Sequence, residues 1–188
     1  MNYGFIRNTI LREGKPSSLK IEALPYGAKD LAPAISRDTI DYHYEELAKT
    51  YAKRYNAGEG DPEFNEAGVF LHNILFQQYQ KPSDSNTPTG KILELIEKHY
   101  TTFAGFKEAF LKEAMSIQGS GWVYLARDGK IKTIANHEIK KDIIVLVDWW
   151  EHAWALDYQA DKKKYLENQW KIINWNVISS RVGLARVD

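Results

Sequence analysis

Residues 143–159 read IIVLVDWWEHAWALDYQ, and they decide how the rest of the chain is read. Five consecutive apolar residues predict a strand buried on both faces. The run ends on a carboxylate, Asp148, followed by two tryptophans and then Glu151 and His152. Desolvating a carboxylate at the end of a buried strand is costly unless something positive meets it. Asp148 and His152 stand four apart where the chain leaves the sheet, so the two side chains can share one partner.

Working outward, GWVYLARDGKIKTIAN (residues 121–136) reads as two strands joined by a turn at RDGK. With DIIVLVDWW this makes a three-stranded antiparallel sheet. KILELIEKHY and FAGFKEAFLKEAM, ahead of it, carry helical periodicity, and the aromatic KKYLENQWKIINWNVISSRV (residues 163–182) reads as a helical segment packed back on the sheet. Nearer the start, SRDTIDYHYEELAKTYAKRYNA (residues 36–57) places Ile40, Leu47, Tyr51 and Tyr55 at helical spacing, with Ser36 or Asp38 as N-cap. After GEGDP, a second helix is expected from about Phe64 to Tyr79, with Ala67, Leu71, Ile74 and Leu75 on its inner face. These two helices predict an antiparallel hairpin. QKPSDSNTPTG then gathers turn-forming residues. The expected fold is therefore α+β: a helical-hairpin domain over residues 1–80 (1–20 being an extension), a linker at about 80–90, and a C-terminal domain over 90–188.

Composition narrows the function. Lys and Arg number 25 and so do Asp and Glu, so no overall field favours nucleic acid or an anionic membrane. No stretch is apolar for long enough to span a bilayer, and MNYGFIRNTILREGKPSS lacks the apolar core of a signal peptide; the expected location is cytoplasmic. Cysteine is absent, which excludes disulfides, thiolate catalysis and thiolate metal sites. A metal here would need His, Asp or Glu.

Five histidines are available: His43, His72, His99, His137 and His152. His43 borders the apolar stripe of the first helix and His72 that of the second, so two antiparallel helices can aim two imidazoles at one point. Asp148 and His152 can add two donors from the other domain. His99, in EKHY, reads as a surface histidine. Taken one at a time, an inward histidine is more often a hydrogen-bonded core residue, and Asp148 alone could cap the following turn.

The surrounding residues resemble the iron/manganese superoxide dismutases. LPYGAKDLAPAIS is similar to that family's N-terminal stretch, DYHYEELAKTYAKRYN to its first helix, FNEAGVFLHNILF to its second, GSGWVYL to its glycine–tryptophan segment and QWKIINW to its closing helix. DWWEHA, with its Asp, aromatic, Glu, His order, is the most specific match. The resemblance runs from about Leu24 to Val182. It implies a superoxide dismutase that redox-cycles one Fe or Mn ion per chain, bound by His43, His72, Asp148 and His152. Histidine and carboxylate ligands suit either metal. Tyr51 falls at the substrate-gate position. His137 stands in place of a glutamine that hydrogen-bonds the solvent at the metal, while Gly68 occupies the alternative glutamine position. Lys162 stands where an arginine lines the entrance. Leu47 and Ala155 replace a histidine and a tyrosine, Phe76 and Tyr124 replace tryptophans, and Leu71 replaces an asparagine. The substrate implied is superoxide. The assembly implied is a homodimer or homotetramer joined through Glu151 and His152. The alternatives are a non-enzymatic structural relative, which should have lost ligands, and a facial-triad oxygenase, which needs only three.

Overall fold

A computed structural model describes residues 17–183 of the chain. The first helix, α1, begins where the Ser36 side chain accepts from the backbone N of Thr39. It runs through three abutting segments: α-helical Arg37–Ile40, π-helical Asp41–Ala48 and α-helical Lys49–Ala57. Gly58, in the left-handed region at φ 70°, ends it. The π segment was not foreseen, and it moves the buried face. Its i→i+5 bonding slows the angular advance per residue. Ile40, His43, Tyr44, Ala48 and Ala52 are buried, whereas Leu47, Tyr51 and Tyr55 of the expected stripe are only half-buried.

Helix α2, Pro62–Gln77, starts at Asp61, whose carboxylate accepts from Glu63 N and Phe64 N. It packs along the C-terminal half of α1 to close the hairpin. From Ala67 to Phe76 every residue is buried. The expected one-sided stripe is thus an all-round core helix, because the strand Ile143–Asp148 and the segment around Leu19, whose neighbours Lys20 and Glu22 bond the Asn73 side chain, also cover it.

The connection that follows is held down by backbone pairing. Tyr79 bridges Ile173, Gln80 N donates to Ile172 O at 2.7 Å, and Asn86 Nδ2 donates to Trp170 O and Ile173 O. Helices α3 (Lys91–Tyr100) and α4 (Phe103–Met115) lead into strands β1 (Gly121–Ala126), β2 (Ile131–Ala135) and β3 (Ile143–Asp148). The sheet is antiparallel, in the order β2-β1-β3. Gly129, at φ 79°, makes the β1–β2 turn, and Asp128 Oδ1 accepts from Lys130 N. His99 is exposed, as expected.

After β3 come α5 (Glu151–Tyr158), α6 (Lys162–Ile172) and α7 (Trp175–Val182). The aromatic C-terminal run is thus two helices rather than one. Ile173 is extended and pairs with Tyr79, and the Asn174 side chain then caps α7 by accepting from Asn176 N and Val177 N. Phe103, Phe106 and Phe110 of α4 interlock with Trp170 of α6 and Trp175 of α7. The architecture is the expected α+β fold: a helical hairpin followed by a three-stranded antiparallel sheet with packed helices. No helix among the described residues is long and apolar enough to cross a membrane.

Candidate metal centre

Asp148 closes β3 directly opposite Trp122 of β1, in a fully buried position. Its two carboxylate oxygens are used differently. Oδ1 accepts from Trp150 N at 2.8 Å, and the Asp148 backbone oxygen accepts from the Tyr165 hydroxyl at 2.9 Å. Oδ2 faces three imidazoles: His43 Nε2 at 3.1 Å, His152 Nε2 at 3.1 Å and His72 Nε2 at 3.9 Å. One donor atom from each of the four residues lies within 4.8 Å of the others. The π segment of α1, the middle of α2, the end of β3 and the first turn of α5 each contribute one.

Histidine orientation favours a common guest. His72 Nδ1 lies 2.7 Å from Gly68 O, so that nitrogen carries the proton and Nε2 presents its lone pair. The Nε2 atoms of His43 and His72 are buried without hydrogen-bond partners. Burial pushes both histidines below their ordinary range, and each is lowered further by a neighbouring histidine, His152 for His43 and His43 for His72. Both rings are therefore neutral and could act as metal donors. Burial raises the Asp148 carboxyl, but the close imidazoles of His152 and His43 override it and hold the group ionised. Two orphaned buried imidazole nitrogens beside an anionic oxygen make an unstable cluster by themselves. A cation at the centre satisfies all of them. Three imidazoles and one carboxylate fit iron or manganese.

Two models of known protein families match the chain. Residues 18–68 match the family model for the alpha-hairpin domain of iron/manganese superoxide dismutases, and residues 88–181 match that for their C-terminal domain. The chain belongs to the iron/manganese superoxide dismutase family. Among its relatives, the Mn/Fe superoxide dismutase of Porphyromonas gingivalis is 34% identical over 85% of this chain and 96% of its own length. The Fe superoxide dismutase of Escherichia coli is 31% identical over 88% and 99%, and that of Bacteroides fragilis 32% identical over 85% and 96%.

Around these four residues the wall is built largely from rings. Tyr51 lies against His72 and His137, with ring centroids 5.5 and 4.9 Å away. Its hydroxyl is pushed up to about 12, by burial first and then by the Asp148 charge. His137 stacks on Trp150 at 4.8 Å, and its Nδ1 accepts from Trp122 Nε1 at 3.3 Å. That bond assigns the proton to Nε2, which is buried and has no partner. Burial also lowers His137 to about 4, so the ring is neutral at physiological pH. Phe76 touches His43 and His72 edgewise or tilted. Tyr124 is placed differently, with its hydroxyl against Asp142. Leu71 is fully buried in the core.

A cavity of about 320 Å³ opens beside the centre, lined by Gly119, Ser120, Trp150, Glu151, His152 and Lys162. Lys162 Nζ sits 4.7 Å over the Trp154 ring and 5.7 Å over that of Trp149. Glu151 is exposed in this chain. Leu47 and Ala155 are half-buried and carry no hydrogen-bonding side chain. Trp122 and Tyr165 were not singled out from the sequence as parts of the site. The β1–β3 register is the signal that points to Trp122, and nothing local points to Tyr165.

Proposed function

We propose that the chain is a superoxide dismutase that holds one iron or manganese ion through His43, His72, Asp148 and His152. The observation that carries this reading is the convergence of three imidazole nitrogens and one ionised carboxylate oxygen on one buried point. The ion supplies a one-electron couple, by which two superoxide anions and two protons become one oxygen and one hydrogen peroxide. The four side chains contribute a single negative charge, so the site keeps a positive charge for an anionic substrate.

The rest of the chemistry belongs to residues of this chain. His137 holds its proton on Nε2 and presents it as a hydrogen-bond donor to solvent at the centre, supported by the acceptor role of Nδ1 toward Trp122. Tyr51 keeps its hydroxyl proton across the neutral range and narrows the approach. Lys162 provides local attraction at the mouth, which matters because the formal net charge is +0. The exposure of Glu151 next to His152 supports a homodimer or homotetramer joined through this face. We further take the protein to be cytoplasmic, with its two domains meeting at residues 80–90.

The test is metal analysis of protein from its native host, with dismutation assayed after separate reconstitution with iron and with manganese. One ion per chain and activity with at least one metal are expected. Asp148→Asn should lose the ion while keeping an acceptor for Trp150 N. Full metal content in that variant would overturn the assignment.

A further inference from the structure

The residues that hold the metal come from two domains, so something must fix the distance between them. Strand β3 is an edge strand, and the backbone groups on its outer side need partners. The Gln78 side chain supplies them. Its Oε1 accepts from Leu146 N at 3.2 Å, and its Nε2 donates to Leu146 O. One amide thus stands in for a missing strand residue. Arg181 of α7 joins the same cluster. Its Nη1 donates to Gln78 Oε1 at 3.0 Å and to Ile144 O at 2.9 Å, and its Nη2 donates to Ile74 O at 2.9 Å.

Ile74 O is one of the four terminal carbonyls of α2, which lack an ordinary helical partner. A cation there is also favoured by the helix dipole. The position matters most for what is close by. Ile74 is two residues beyond His72, and Leu146 is two residues before Asp148. Both Gln78 and Arg181 are buried. The fork of the guanidinium spans the two elements in a way that a single ammonium cannot.

We propose that Gln78 and Arg181 are positioning residues that set the spacing between His72 and Asp148, and through it the geometry and retention of the metal. Neither touches the centre. They hold the end of α2 to the edge of β3, so that an imidazole from one domain and a carboxylate from the other face each other 3.9 Å apart across the centre. The inference rests on the reading of these residues as metal ligands.

The experiment loads the full chain with Mn(II) and compares wild type with Gln78→Met, Arg181→Met and Arg181→Lys. Two readouts are taken: the rate at which EDTA strips the ion, and the electron paramagnetic resonance spectrum, which reports coordination geometry. Phe110→Leu, buried in the aromatic cluster away from the hub, controls for lost stability. Metal should leave the Gln78→Met and Arg181→Met proteins about 10-fold faster, the low end of the range for removing a direct partner of a ligand, because these bonds act on backbone two residues from His72 and Asp148. Their spectra should change, while those of the control should not. Arg181→Lys keeps the charge and should fold even where Arg181→Met does not; an intermediate rate is expected. Hub variants whose rates and spectra match those of the control would overturn the proposal. A wild-type chain that binds no Mn(II) with a protein-ligated spectrum would instead overturn the metal reading.

Discussion

Gly68→Ala tests whether Tyr51 is held by α2. Inside a helix, alanine normally gains about 0.8–1 kcal/mol over glycine. Here an added Cβ would stand 2.9 Å from Tyr51 Cγ and 3.1 Å from both Cδ atoms. Carbon contacts prefer about 3.5–4.0 Å, so ring or helix must give by roughly 0.5–1 Å. The ring is hemmed in by Phe64, His72 and His137, with centroids at 5.9, 5.5 and 4.9 Å. Overpacking of this kind costs about 1–3 kcal/mol, which leaves a net destabilisation of about 0–2 kcal/mol. The sharper quantity is the coupling. In a Tyr51→Ala background the obstacle is gone, and Gly68→Ala should stabilise by about 0.8–1 kcal/mol. Urea unfolding of the four metal-free proteins measures both values. A coupling of about 1–3 kcal/mol is expected; an equal stabilisation in both backgrounds would refute the argument.

Other outcomes follow from the site. Lys162→Glu should slow dismutation at low ionic strength and invert its salt dependence, because the local field at the cavity mouth changes sign; a rate unchanged across salt concentrations would remove Lys162 from the approach. His137→Ala should keep the metal, since no donor of the four-residue cluster is lost, but shift its reduction potential. His137→Gln should alter the ratio of iron-supported to manganese-supported activity, and an unmoved potential and ratio would show that the Nε2 proton does not reach the centre. The metal-free protein should be acid-sensitive. Burial keeps His43 and His72 below their ordinary value of 6.5, so below that pH the unfolded chain binds protons that the folded chain excludes. Stability should therefore fall with pH by up to about 1.4 kcal/mol per pH unit for each histidine. A urea midpoint that stays flat from pH 7 to 5 would contradict this.

The sequence by itself determined what depends on neighbours along the chain. Ser36 marks a helix start, Gly129 marks the hairpin, and IIVLV marks a buried strand; each works through bonds spanning a few residues. Family motifs also drew attention to His43, His72, Asp148 and His152 before any distance was known. Tertiary structure decided the rest. The π segment turned Tyr44 inward and left Leu47 half-buried, because the face that α1 buries depends on how α2 and α5 press against it. The C-terminal run broke at Ile173 because Tyr79, far away in sequence, offered a better backbone partner than another helical turn. His137 acquired its donor side from Trp122, and Asp148 its anchoring from Tyr165, across gaps of 15 and 17 residues. Periodicity records which residues prefer burial; which atoms then meet is set by packing between elements that are distant in sequence.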